Sequence, residues 1–181
     1  MTHRPFSAPW LLALIVVVAA FAGCATPAQT AHMVANDTVP EHRSSNNVSI
    51  EVSGGSEQSA VAGPAISNAD FAAAIRESIL ASGLFAAIAQ SEQSDYRLTA
   101  YITRVQQPMV GFAMTVTFEC SWRLIRSRDG ATVWEKAITT NFTGNVGDAL
   151  VGATRVRLAT EGAARNNIKD AILAMGRLGL K

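Results

Sequence analysis

The stretch MTVTFECSWRL, residues 114–124, decides the fold class. Its even positions are apolar and its odd positions are polar, which is the period-two pattern of a strand with one covered face. The Asp-Gly pair at 129–130 is typical of a hairpin turn. Residues 133–142, with Trp134 and Phe142 on one face, are therefore predicted to pair back against this strand.

Further strands are predicted on the N-terminal side of this hairpin. Residues 48–52 and 96–103 alternate between apolar and polar side chains, and both patterns favour half-buried strands. The run at 84–88 is short and apolar, which predicts a small buried strand. The sheet should then contain about four to five strands.

Two helices complete the prediction. The SNAD cluster at 67–70 is a helix-start signal, apolar residues follow at helical spacing over 71–80, and Gly83 suits a left-handed C-cap. A second helix is expected from about Asn145 onward, with early turns weakened by glycines. The order of elements favours an α+β fold in which both helices pack on one face of an antiparallel sheet.

Residues 1–24 have the parts of an export signal. Arg4 supplies positive charge, and the apolar run at 10–20 is shorter than the roughly 20 residues of a membrane span. FAGC at 21–24 resembles the bacterial lipobox, which more commonly has Leu where Phe21 stands. The resemblance implies cleavage before Cys24, a diacylglyceryl group on its sulfur and an N-acyl group on the new amine. An ordinary secretory peptide, cut elsewhere, is the alternative.

The residue after Cys24 implies a location. In enteric-type bacteria an Asp at this position favours retention at the inner membrane, whereas this chain has Ala25. The resemblance therefore implies anchoring in the outer membrane, at its periplasmic face, with the inner membrane as the less favoured site.

The chain is predicted to have three regions: a signal peptide at 1–23, a lipidated cysteine with a flexible tether at 24–46, and one α+β domain at 47–181. The tether prediction rests on a composition rich in Thr, Ala, Asn, Ser and Pro without apolar periodicity. His32 and His42 lie in this tether without a cluster of carboxylates or thiols, which disfavours a metal site.

The charge of the mature chain disfavours nucleic-acid binding. Arg4 is the one charged side chain in residues 1–23, so removing them leaves 14 basic and 14 acidic side chains. A non-specific nucleic-acid binder or a polybasic membrane patch needs a basic excess, which this balance does not supply.

The residues also favour a non-enzymatic role without a cofactor other than the lipid on Cys24. The domain at 47–181 contains no histidine, so a triad of nucleophile, histidine and acid is not available there. Cys120 falls on the apolar face of its strand and is predicted to be a buried structural thiol. Glu119 and Glu135 are expected to form cross-strand ion pairs rather than a catalytic pair.

Four short motifs resemble segments of small periplasmic lipoproteins. They are ASGLFAAI at 81–88, SDYRLTA at 94–100, DGATVW at 129–134 and EGAARNNI at 161–168. Similar motifs occur in auxiliary lipoproteins of ABC-type lipid transporters, in the lipopolysaccharide-assembly lipoprotein, and in N-terminal domains of curli-secretion and Tol-type proteins. The resemblance covers about residues 47–178 and implies a shared fold, because its motifs are structural.

Two functions from different classes are compatible with these features. The first is an accessory component that docks onto envelope transport or assembly machinery through an exposed sheet face or edge. Its candidate contact residues are Arg97, Tyr101, Thr115, Thr117, Arg123 and Arg126, although a merely solvated face would carry the same residue types. The second is a carrier that holds a lipid or another small apolar ligand in a cavity lined by Met114, Phe118 and Met175. A flat exposed apolar patch would favour docking.

Overall fold

The computed structural model describes residues 27–56 and 65–180. The predicted signal peptide and the predicted lipid-attachment residue Cys24 lie outside the described residues. Three α-helices are present in the described chain: α1 (Thr30–Met33), α2 (Asn68–Ser82) and α3 (Gly152–Met175). Its strands are β1 (Asn47–Ser53), β2 (Ala87–Ile88), β3 (Tyr96–Gln106), β4 (Met114–Arg126) and β5 (Thr132–Gly144).

The strands form one five-stranded sheet in the order β2-β1-β3-β4-β5. The α+β fold class and the strand number are confirmed, but the sheet is mixed rather than purely antiparallel. Strands β3, β4 and β5 pair antiparallel, whereas β1 pairs parallel to both β2 and β3. The reason is the intervening helix α2, since a crossover helix returns the chain to the same end of the sheet.

Both long helices cover the same face of the sheet, as predicted. The even-numbered side chains of β4 point under the helices, and all six from Met114 to Leu124 are buried. The Phe71 ring of α2 lies 5.3 Å from the Phe118 ring and 6.0 Å from the Trp122 ring. Leu84 and Phe85, in the motif after α2, are also buried in this core.

The ends of helix α2 follow the sequence signals. The Ser67 hydroxyl accepts a hydrogen bond from the Asp70 amide at 3.0 Å, and Gly83 adopts φ +66° in the C-cap. A left-handed residue is far less strained when it is glycine, which explains the helix stop. Helical spacing predicts Leu80 on the buried face, but this residue is 55% exposed, because the helix turns the position away from the sheet.

Helix α3 begins later than predicted, at Gly152 rather than near Asn145. Residues 145–151 form turns, in agreement with the expected weakening by glycine. Gly162 has a packing reason: a Cβ at this position would lie 2.5 Å from the Phe142 ring of β5. Glycine therefore allows helix and sheet to approach closely here.

The flexible-tether prediction is wrong for residues 27–46. This segment lies across both helices, with Met33 fully buried and the Ala35 amide donating to the Ser78 hydroxyl at 2.9 Å. On the other side of the segment, the Lys169 ammonium of α3 lies 3.1 Å from the Asp37 carboxylate. Single apolar residues such as Met33 can be buried in a groove between helices without any periodicity, so composition alone does not reveal them.

Cys120 is buried as predicted, and we expect it to resist alkylation in the folded protein. Burial raises the pKa of this thiol to about 12. At pH 8 the reactive thiolate would then be only about one part in 10⁴ of the thiol. Native protein treated with iodoacetamide should gain no mass at Cys120, whereas protein unfolded in urea should be labelled. A Ser121→Cys, Cys120→Ser variant, which moves the thiol to the other face, should react when folded.

Candidate functional site

The outer face of the sheet, opposite the helices, carries polar side chains in cross-strand rows. Arg123 of β4 donates to Glu135 of β5 at 2.9 Å, as the sequence predicted for this pair of strands. This bond and the neighbouring charge lower the pKa of the Glu135 carboxyl and raise the pKa of the Arg123 guanidinium. Glu119 lies 3.7 Å from Arg104 of β3. Ion pairs with neighbours, rather than a catalytic carboxylate pair, therefore occupy this face.

Threonines extend the polar rows toward the other end of the same face. The Thr115 and Thr143 hydroxyls lie 2.9 Å apart, and Thr117 donates to the Asn141 side chain at 2.6 Å. These are exposed cross-strand hydrogen bonds between β4 and β5, which fix side-chain positions on the surface. The outer face is thus ordered, polar and charge-balanced.

The structure places five of the six predicted contact residues on this outer face. They are Arg97, Tyr101, Thr115, Thr117 and Arg123. Arg126 does not belong there, because it pairs in register with the buried Tyr96 and therefore points to the helix side. Its guanidinium lies 3.4 Å from the Asp129 carboxylate.

Arg126 instead lines an open polar cleft of about 440 Å³ near the β4–β5 turn. The other lining residues are Asn46, Glu92, Gln93, Ser94, Asp95, Tyr96, Ser127 and Arg128. None of the residues expected to line a lipid cavity takes part in this cleft. Met114, Phe118 and Met175 are instead buried in the core.

His32 has a partner that the sequence did not reveal. Its Nδ1 lies 2.9 Å from Oε2 of Glu161, a carboxylate that is 1% exposed. Oε1 of Glu161 accepts from the Gln29 amide at 2.9 Å and from Arg157 at 3.0 Å. Glu161 therefore fastens residues 29–32 to helix α3, and its oxygens are used in structural contacts. No local signal could predict this pair, because His32 and Glu161 are 129 positions apart.

Large apolar side chains are exposed on two neighbouring loops at one end of the sheet. We call Met109, Val110, Phe112, Leu150 and Val151 the apolar loop patch; their exposed fractions lie between 63% and 97%. The first three belong to the β3–β4 loop and the last two to the β5–α3 loop. The patch was not among the sequence predictions, although apolar residues inside a connection marked by Pro108 and Gly111 were the available signal.

One buried arginine holds the two loops of the patch together. Arg155 donates to the carbonyl oxygens of Ala149 and Leu150 at 2.9 and 2.8 Å, and to that of Gly111 at 3.3 Å. The guanidinium thus bridges the β5–α3 loop and the β3–β4 loop. Its planar fork suits this bridging, since it supplies several donors in a fixed geometry.

Two kinds of feature are absent from the part of the chain that the structure describes. Within residues 27–56 and 65–180, no helix combines the length and apolar character needed to cross a membrane. The same residues contain no group of three or more His, Cys, Asp or Glu side chains placed to hold a metal ion.

The fold occurs in other solved structures. A DUF330-family protein from Xanthomonas campestris superposes with a TM-score of 0.59 at 18% identity, covering 85% of this chain and 91% of that chain. A Chlamydia trachomatis protein described as hypothetical gives 0.51 at 11% identity, with 72% and 94% covered. A minor lipoprotein from Acinetobacter baumannii gives 0.44 at 7%, with 73% and 93% covered.

The likenesses to the Xanthomonas and Chlamydia proteins show a common fold and carry no information on activity. No protein-family model matches the chain. No curated protein matches it either.

Proposed function

We propose that this protein is a lipid-anchored lipoprotein of the bacterial envelope that serves as a non-enzymatic accessory component of transport or assembly machinery. Export and anchoring rest on the lipobox-like FAGC at 21–24, with Cys24 as the acylated residue. Ala25 supports the outer membrane, at its periplasmic face. The motif resemblance to auxiliary and assembly lipoproteins supports the accessory role.

The observation that carries the docking role is the uncovered outer face of the sheet. It spans β3, β4 and β5, which are 11, 13 and 13 residues long, and no helix of the described chain lies over it. Its mixture of paired charges, hydroxyls and the exposed Tyr101 ring resembles a non-obligate protein interface more than an apolar ligand site. Strand β5 lies at the edge of the sheet and offers a second route, strand addition.

The carrier alternative has less support. The side chains expected to line a lipid cavity are packed in the core, and the described cleft lies at the β4–β5 turn among polar and charged residues. An apolar ligand needs apolar walls, so a cleft of this composition favours water or polar groups.

The anchor is tested first, with a Cys24→Ala variant. Wild-type protein produced in cells supplied with radiolabelled palmitate should incorporate the label and sediment with membranes. The Cys24→Ala variant should incorporate none and appear in the soluble periplasmic fraction. Label retained in the variant would contradict acylation at this residue.

The docking role is tested by photo-crosslinking in whole cells. A photoreactive residue at Tyr101 or Thr117 on the outer face should join the tagged protein to one defined envelope protein, identified by mass spectrometry. The same residue at Glu77, which is exposed on helix α2, is the matched control and should not give that product. Recovery of the protein alone with one defined bound lipid would contradict docking and support the carrier role.

A further inference from the structure

We propose that the apolar loop patch inserts into the lipid surface beside the Cys24 anchor, so that the domain sits directly on the bilayer with its strands pointing toward it. This inference rests on the proposed lipid anchor and adds a second, non-covalent membrane contact. It follows from three features: where the described chain begins, how the patch is built, and what chemistry the patch presents.

The described chain begins at the same end of the sheet as the patch. Because β1 and β3 are parallel, both strands run toward the end where the β3–β4 loop emerges, and β1 ends at Ser53, opposite Tyr101 of β3. Helix α2 starts there too, since the Asn68 side chain accepts from the Gly55 amide at 2.8 Å just beyond β1. The Ala28 amide donates to the Ala65 carbonyl at 3.1 Å, which places the first described residues beside that helix start.

Two adjacent residues of α3 connect this N-terminal segment to the patch. Glu161 accepts from the Gln29 amide at 2.9 Å, and the preceding Thr160 accepts from the Gln107 side chain at 3.1 Å. Gln107 is the first residue of the β3–β4 loop, which carries Met109, Val110 and Phe112. The first described residues and the patch are therefore fastened to the same stretch of one helix.

The covalent distance to the anchor is short. Cys24 precedes Pro27, the first described residue, by three positions. Three residues of chain span at most roughly 11 Å. Acyl chains on Cys24 would consequently hold Pro27 within about one helix diameter of the bilayer, instead of the roughly 25 to 30 Å that a free coil over 24–46 would allow.

The patch has the chemistry of a lipid contact. The loop at 107–113 has no charged residue, and the loop at 145–151 has only Asp148, whose carboxylate accepts from the Asn145 amide at 2.7 Å. The patch exposes an aromatic ring, a methionine and branched aliphatic side chains. Such groups bury favourably at the boundary between headgroups and acyl chains. Since exposed cations are absent from these two loops, the contact should not require anionic lipid.

The anchor also decides which occupant is expected. A covalent lipid keeps the protein surface next to the bilayer. The effective concentration of bilayer at this surface is therefore high, as in an intramolecular association. A second copy of the chain or a protein partner would have to compete with a membrane that is always adjacent. The bilayer is therefore the expected occupant of the apolar loop patch.

The test places a tryptophan in the patch. Lipidated full chain carrying Phe112→Trp is purified in detergent and reconstituted into phosphatidylethanolamine vesicles whose acyl chains are brominated, since bromine quenches tryptophan on contact. The added emission at 112 should fall by roughly half or more relative to non-brominated vesicles, if the ring lies at acyl-chain depth. The native residues Trp122 and Trp134 give the same background in each sample.

The matched control is Arg128→Trp, at an exposed position in the β4–β5 turn at the opposite end of the sheet. Its emission should be unaffected by bromine. Adding Val110→Asp and Leu150→Asp to Phe112→Trp should abolish most of the quenching while the protein stays in the vesicle fraction, because the lipid anchor is unchanged.

The outcomes separate this inference from the proposed anchor. Acylated, vesicle-bound protein without quenching at 112 would overturn the membrane contact and leave the anchor standing. Unquenched emission together with a doubled hydrodynamic mass would assign the patch to a second copy instead, and would equally overturn it. Protein without acyl mass on Cys24 would remove the proposed anchor, and the membrane contact would fall with it.

Discussion

Replacing Asn167 with alanine is expected to lower the free energy of unfolding by about 3 kcal/mol, because it leaves buried polar groups without partners. The Asn167 side chain is buried between α3 and the sheet. Its oxygen accepts from the Trp122 indole at 2.8 Å, and its nitrogen donates to the Ile138 carbonyl at 2.8 Å. Alanine removes both bonds and leaves a small cavity beside the largest core side chain.

The matched control for this change is Asn166→Ala, one residue earlier in the same helix. The Asn166 side-chain nitrogen donates a long hydrogen bond of 3.4 Å to the Asn141 carbonyl at the surface. Both variants gain the same helix propensity, so their difference isolates burial of the asparagine. Urea unfolding followed by tryptophan emission measures both, and equal midpoints would contradict the role assigned to Asn167.

The local parts of the fold were predictable because their signals are local. Alternation over residues 114–124 reports directly which side chains face the core, and a serine cap with a C-terminal glycine marks the ends of one helix. The parallel pairing of β1 was not predicted, since both parallel and antiparallel pairing bury the same alternate residues. That choice follows from the crossover helix between β1 and β3, a topological rule rather than a residue pattern.

The assignment of Arg126 shows how position along a strand decides its face. As an even-numbered residue of β4 it shares the parity of the core residues Trp122 and Leu124. The sequence-based prediction places it among the surface contacts, whereas the pleat places it on the helix side at the edge of the core. Residue type therefore gave the wrong face where parity would have given the correct one.

The patch and the N-terminal segment depend on contacts that a single sequence does not display. Phe112 and Leu150 are exposed because their loops are held away from the core. Arg155 of helix α3 holds these loops through hydrogen bonds to the Leu150 and Gly111 carbonyl oxygens. The burial of Met33 likewise depends on a groove formed by two helices distant in the chain. Long-range packing, rather than local propensity, creates both features.

Removing the Glu161 carboxylate is expected to free the N-terminal segment and to destabilise the domain by about 2 to 4 kcal/mol. In Glu161→Ala, the Gln29 amide and the His32 ring lose their shared acceptor, and the Arg157 guanidinium loses its buried partner. Hydrogen–deuterium exchange should rise sharply over residues 28–35. Exchange in the middle of β4 should change far less, because its ladder does not involve this carboxylate.

Glu135→Ala is the control for the Glu161 variant. Glu135 lies 2.9 Å from Arg123, nearly the same distance as the 3.0 Å between Glu161 and Arg157, but Glu135 is exposed to solvent. Solvent screens such a pair, so exchange over residues 28–35 should stay at the wild-type level. An unchanged Glu161→Ala exchange pattern would show that the segment is held by its apolar contacts alone.

If the segment is released as expected, the spacer between Cys24 and the domain lengthens from a few residues to about twenty. Quenching at Phe112→Trp should then weaken as well, because the patch loses its enforced proximity to the bilayer.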